Sequence, residues 1–122
     1  MFYCCYDFNC DLSNWNVSNV TNMARMFVGC ENFNCYLSDW DVSNVANVHA
    51  LFCECNKFTG KGLEHWDVSN VTDMYSMFTM CKNFKGKGLE NWDVSKVEDI
   101  RYMFSGCDKM TIPNWYKLYH KK

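Results

Sequence analysis

Proline and glycine are scarce in this chain, with Pro113 alone and 6 Gly among 122 residues. That scarcity excludes a collagen-like triple helix, and a hydrophobic share of 48% excludes a disordered segment. Any apolar run near the ~20 residues that a membrane-crossing helix needs is also missing. The opening Met1-Phe2-Tyr3-Cys4-Cys5-Tyr6-Asp7 has neither the basic nor the apolar stretch of a secretory signal. Neither membrane insertion nor secretion is therefore expected, and a cytoplasmic or virion-associated location is favoured. No sign of charge dominates: 12 Lys and Arg against 14 Asp and Glu leave a net charge of −2, so nucleic acid is not an expected partner.

Cysteine, by contrast, is abundant, with 9 in the chain, and an odd number leaves at least one thiol outside any disulfide framework. Cys5, Cys30, Cys55, Cys81 and Cys107 recur at steps of 25, 25, 26 and 26 residues. Trp15, Trp40, Trp66, Trp92 and Trp115 follow the same beat, at steps of 25, 26, 26 and 23, a period that marks stacked repeat units. Further apolar columns keep the register: Val17, Val42, Val68 and Val94; Phe27, Phe52, Phe78 and Phe104; and Leu37, Leu63 and Leu89 ahead of the next tryptophan. This divides one domain into a partial repeat 1–14, repeats 15–39, 40–65, 66–91 and 92–114, and a C-terminal cap and tail 115–122.

Two periodicities alternate within each unit. Leu12 to Val17, and its counterparts Leu37 to Val42, Leu63 to Val68 and Leu89 to Val94, end in the period-two alternation of a short strand. Met23, Met26, Phe27 and Cys30 then fall at i, i+3, i+4 and i+7, one stripe of a helix of about two turns. Ser18, Ser43, Ser69 and Ser95 precede these stripes as N-caps, Ser95 with Glu98 at the capping-box spacing, and Gly29 and Gly106 suit helix ends. Neither element is long enough to bury its own apolar side, so copies must stack. The expected fold is an α/β repeat of about four to five rungs, a solenoid with short parallel strands on one face and short helical turns on the other.

The segments Trp40-Asp-Val-Ser-Asn-Val and Trp66-Asp-Val-Ser-Asn-Val-Thr-Asp-Met-Tyr-Ser-Met-Phe resemble the BspA-type leucine-rich repeat of 25–26 residues, over residues 1 to about 115. Such repeats are known from Mycoplasma and Listeria surface lipoproteins and also occur in protists and giant viruses. The resemblance implies a leucine-rich-repeat solenoid used for adhesion or protein–protein contact, with no enzymatic activity in the repeat itself.

Most residue types that suggest chemistry have a structural reading. Stacking spreads the cysteine column along the axis, whereas zinc needs ligands converging on one point, so these thiols are expected to be buried and structural. Cys53-Glu-Cys55 offers only two ligands. Cys10 and Cys35 share a second column whose Cα separation suits an optional disulfide. In Gly60-Lys61-Gly62 and Gly86-Lys87-Gly88 a phosphate loop fails, because Cys55 stands where its first glycine belongs; the glycines accommodate the extra residue of the longer repeats. His49, His65 and His120 occupy unrelated columns, and the glycosylation-like triplets at Asn16, Asn19 and Asn70 arise from the repeat itself. No metal, cofactor or catalytic group is expected, and the chain is not expected to be an enzyme.

One surface remains. Asn16, Asp39, Asp41, Glu64, His65, Asp67, Glu90, Asn91 and Asp93 flank the buried strand positions and make that face acidic, while Lys57, Lys61, Lys82, Lys85, Lys87 and Lys109 follow the helical stripes. Like charges stacked ~5 Å apart cost about 1 kcal/mol per pair in water. Either the aspartates accept local turn hydrogen bonds or the face meets a cationic partner. The leading expectation is a non-catalytic protein-interaction or structural module. Its alternatives are a small structural component of a virion or other large assembly, and a fragment of a cell-surface adhesin. A protein partner is expected, along with end-to-end self-association through an uncapped N-terminal rung.

Overall fold

The computed structural model describes Leu12 and residues 14–120. Between Met23 and Cys30 the amide groups divide into two sets. The N–H groups of Met26, Val28 and Cys30 donate three residues back, to the carbonyls of Met23, Arg25 and Phe27 at 3.2, 3.3 and 3.1 Å. Those of Met23, Arg25, Phe27 and Gly29 leave the rung and donate to Asn47, His49, Leu51 and Cys53 at 2.8, 2.8, 3.0 and 2.9 Å. The scheme repeats from Val48, Ala50, Phe52 and Glu54 to the carbonyls of Asp73, Tyr75, Met77 and Thr79, and from Met74, Ser76, Phe78 and Met80 to those of Asp99, Arg101, Met103 and Ser105.

For every second donor to point along the stack, the chain must turn back on itself twice per rung. It does so through left-handed residues at two fixed places: Arg25, Ala50, Ser76 and Tyr102 at φ 62, 53, 54 and 59°, and Gly29, Glu54, Met80 and Gly106 at φ 75, 64, 63 and 79°. Left-handed backbone costs a residue other than glycine roughly 1–2 kcal/mol. The hydrogen bonds to the next rung and the burial of the neighbouring Met and Phe offset that cost.

These turns correct the expected fold on both faces. No helix forms over Met23–Cys30 or its counterparts, because the bonds close over three residues instead of four. An apolar spacing of i, i+3, i+4 and i+7 faces inward from a run of turns as well as from a helix. A helix, however, would spend every N–H internally and leave the rungs joined by side chains alone. The serines accordingly cap nothing, and the N–H of Glu98 donates to Thr72 of the preceding rung at 2.8 Å instead of entering a capping box.

Nor do the Leu-to-Val stretches form parallel strands. Each folds into two turns, with Trp40 N–H donating to Leu37 at 3.1 Å and Val45 N–H to Val42 at 3.0 Å. Strand-like pairing among the described residues is limited to isolated parallel bridges, Asn22 with Asn47, Asn47 with Asp73, and Asp73 with Asp99, in the half of the repeat expected to be helical. A leucine-rich-repeat solenoid with parallel strands is thus not what this sequence builds. Among the described residues the helical elements are two 3-10 turns, Leu63–His65 and Leu89–Asn91, and the helix α1, Asn114–His120.

The core lies between these turns as columns of rings. Phe27, Phe52, Phe78 and Phe104 stack at 5.8, 5.7 and 5.8 Å, their planes nearly parallel, and Trp15, Trp40 and Trp66 stack at 6.3 and 6.5 Å. Side chains add bonds across the rungs. The indole N–H groups of Trp40, Trp66 and Trp92 donate to the carbonyls of Leu12, Leu37 and Leu63 at 3.0, 2.9 and 2.9 Å. At the C-terminal end Tyr116 of α1 meets the Phe104 ring edge-on at 4.9 Å.

Candidate functional site

Each member of the column Asn16, Asp41, Asp67 and Asp93 directly follows a tryptophan, which places it at the entrance to a turn. There its Oδ1 accepts the backbone N–H of the serine two residues on, at 3.1, 3.0, 3.0 and 3.0 Å. The hydroxyls of Ser18, Ser43 and Ser69 donate to the same oxygens of Asn16, Asp41 and Asp67 at 2.7, 2.6 and 2.6 Å. The serine hydroxyl, followed by the serine N–H, holds the carboxyls of Asp41, Asp67 and Asp93 below the ordinary range, while the neighbours Asp41 and Asp93 push Asp67 back up. Among the described residues no donor reaches Oδ2 of these three aspartates, so the ladder presents one carboxylate per rung to solvent.

The other residues expected on this face are less uniform. Asp39, His65 and Asn91 are exposed, Glu64 is half-buried, and Glu90 accepts the N–H of Asn114 at the start of α1, 3.2 Å from Oε1.

A second polar column escaped the sequence reading. Asn22, Asn47, Asp73 and Asp99 form the parallel bridges, and their Oδ1 atoms accept the N–H groups of Ala24, His49, Tyr75 and Arg101 at 2.9, 2.9, 2.9 and 3.0 Å. Beside them His49 stacks on Tyr75 at 4.9 Å with Nδ1 3.4 Å from Asp73 Oδ2, and the Arg101 guanidinium lies 5.3 Å from the Tyr75 ring centre. Arg101 also grips both oxygens of Asp99, at 3.1 and 2.8 Å, and these bonds hold the Asp99 carboxyl below its usual range. The available signal was an Asn or Asp seven residues after each of the first four tryptophans.

The cysteine column serves packing. Thiols of Cys55, Cys81 and Cys107 donate to the carbonyls of Phe27, Phe52 and Phe78 in the preceding rung, at 3.1, 2.9 and 2.9 Å. Burial pushes all three up from the usual thiol value, Cys107 to about 11. A thiol held protonated in this way is a poor nucleophile and a poor metal ligand. No group of three or more His, Cys, Asp or Glu among the described residues could hold a metal ion. Cys30 and Cys35 are buried, whereas Cys5 and Cys10, and with Cys10 the suggested Cys10–Cys35 bridge, lie outside the described residues.

The glycine-lysine segments line a cleft of ≈ 410 Å³, with Tyr36, Lys61, His65, Lys85 and Lys87 around it. Gly62 and Gly88 sit at φ 91 and 84° ahead of the 3-10 turns, and a Cβ on either would fall 2.7 Å from Ser38 N or 2.2 Å from Glu64 Cβ. The extra residue of the longer repeats falls just ahead of those turns, between Phe58 and Leu63 and between Phe84 and Leu89. No helix of the described residues is long and apolar enough to cross a membrane.

Repeating units joined by bonds between neighbouring rungs, with polar columns on the outside, define a repeat protein. The chain belongs to the family described as "Mycoplasma protein of unknown function, DUF285", a BspA-like repeat family, which matches residues 1–61 and 50–117. No curated protein and no solved structure matches the chain.

Proposed function

We propose that this protein is a non-catalytic protein-interaction module that recognises a basic partner through the ladder of Asp41, Asp67 and Asp93. One observation carries the reading: these carboxylates recur once per rung, each fixed by a serine through one oxygen and open at the other. Little side-chain freedom is left to lose when a partner binds, which lowers the entropic cost of association. The BspA-like character of the family supports a protein as that partner.

Asn16 supplies the means of testing it. Its amide makes the same turn as the aspartates, so Asp41→Asn, Asp67→Asn and Asp93→Asn together remove three charges while keeping the local geometry. Affinity capture under native conditions should recover a partner with the wild type in a salt-sensitive manner, and should lose it with the triple variant. Equal capture by both proteins, at unchanged circular dichroism, would falsify the assignment of this face.

A further inference from the structure

Two consecutive rungs carry the same corner. Leu63 N–H donates to the Gly60 carbonyl at 3.2 Å and Leu89 N–H to the Gly86 carbonyl at 3.3 Å, so Lys61 and Lys87 stand at the tips of successive four-residue turns, both exposed. The rung before them is one residue shorter between its phenylalanine and its leucine, and carries Tyr36 directly ahead of that leucine. Tyr36 is 55% exposed and lines the ≈ 410 Å³ cleft together with Lys61, Lys85 and Lys87. Small-molecule sites span about 300–1,000 Å³, so the space suits a compact ligand.

Two observations say what kind. Among the described residues Lys61, Lys85 and Lys87 have neither an ion pair nor an acceptor, whereas Lys96 and Lys109 donate to Asn70 and Asn83 at 3.0 and 2.9 Å. One carboxylate, Glu64, shares the cleft and leaves two of the three positive charges unmatched. The backbone is short of a partner as well: Gly60 and Gly62 are buried and line the same cleft, yet neither N–H meets an acceptor among the described residues. Buried amides without a partner are rare and costly.

A group with several acceptor oxygens and close to two negative charges answers both deficits. A phosphate monoester has three such oxygens and a charge of about −1.5 to −2 at neutral pH. The arrangement differs from a phosphate loop, since each corner leads into a three-residue 3-10 turn instead of a helix. We propose that this cleft binds a phosphate monoester carried on an aromatic ring, with the phosphate held by Lys61, Lys85, Lys87 and the amides of Gly60 and Gly62, and the ring against Tyr36. A tyrosine ring open to solvent offers a flat apolar face on which a second ring can stack.

Phenyl phosphate is the probe. Titration calorimetry at low salt should show one saturable site per chain, with inorganic phosphate bound more weakly and phenol not detectably bound. Lys61→Gln combined with Lys87→Gln should weaken phenyl phosphate at least about tenfold. Lys57→Gln combined with Lys82→Gln removes the same charge from exposed positions outside the cleft, and should stay within about twofold of the wild type. Tyr36→Ala should weaken phenyl phosphate to the level of inorganic phosphate and leave inorganic phosphate itself unchanged. All five substituted positions are exposed, so each variant should keep the wild-type circular dichroism. Absence of saturation, equal losses in the two lysine pairs, or full phenyl phosphate affinity in Tyr36→Ala would overturn the assignment. The triple aspartate variant should bind the probe at least as tightly as the wild type, so this site and the partner-binding face fail separately.

Discussion

In the tryptophan half of each repeat a side chain crosses to the neighbouring rung, where the indole N–H reaches a leucine carbonyl, and the thiol that ends the turn half likewise reaches a phenylalanine carbonyl. In the turn half, the backbone itself crosses. The two halves therefore place different demands on sequence. Only Trp, and only a small buried donor such as Cys, meets the first requirement. The second is blind to side-chain chemistry, and the left-handed position is filled in turn by Arg25, Ala50, Ser76 and Tyr102. Where the sequence repeats strictly, a side chain bonds or packs against the next rung, as Trp and Phe do; where it varies, as at the left-handed position, only the backbone crosses.

The comparison is broken most severely at a tryptophan. Trp66→Ala should lower unfolding stability by about 3–5 kcal/mol through the lost ring and the cavity it leaves. Trp66→Phe keeps most of the packing but strands the Leu37 carbonyl, and should cost less than the alanine variant, of order 1–3 kcal/mol. Urea denaturation of both separates packing from the bond. An equal loss would mean that the bond contributes the whole difference and the ring itself nothing.

Left-handed positions sharpen it from the other side. Gly88→Ala puts a Cβ against Glu64 at a φ that alanine avoids and should cost about 1–3 kcal/mol. Ser76→Gly relieves strain at φ 54° and should raise stability by roughly 0.5–1 kcal/mol, the relief being partly offset by the greater freedom of glycine in the unfolded chain. Paired thermal melts check the opposite signs.

The smallest effect belongs to the exposed ladder. Ser69→Ala removes the hydroxyl that depresses the Asp67 carboxyl. A depressed carboxyl contributes stability above its unfolded value, near 3.9, and loses it as pH falls through the folded value. The stability gap between wild type and variant should thus be widest at neutral pH and close below about pH 4. It should stay small, because Asp67 is exposed. Urea midpoints measured across that range report it.

Much of the interior was legible before any coordinates. The period located the columns of Trp, Phe and Cys, and Phe27, Phe52, Phe78, Cys55 and Cys81 are all fully buried. Backbone conformation was not legible, because Met23, Met26, Phe27 and Cys30 point inward from a helix and from consecutive turns alike. The distinguishing signal lay in residues with no hydrophobic pattern: Asn22, Asn47, Asp73 and Asp99, whose side chains hold the turn entrance, and glycine at two of the four positions in the second left-handed column, Gly29 and Gly106. For the candidate face, local turn bonds to Asp41 and Asp67 were one of two readings that the stacked charges left open, and the serine as their donor was not foreseen. The stack of His49, Tyr75 and Arg101 was not, since those three residue types share a column only by position.

The tryptophan column also has an optical consequence. Indoles 6.3 and 6.5 Å apart and within 12 and 5° of parallel share their excited states, so their near-ultraviolet circular dichroism depends on mutual alignment as well as on burial. Slippage of one unit against the next would erase that signature while every ring stayed dry, giving this molecule an intrinsic gauge of its own alignment.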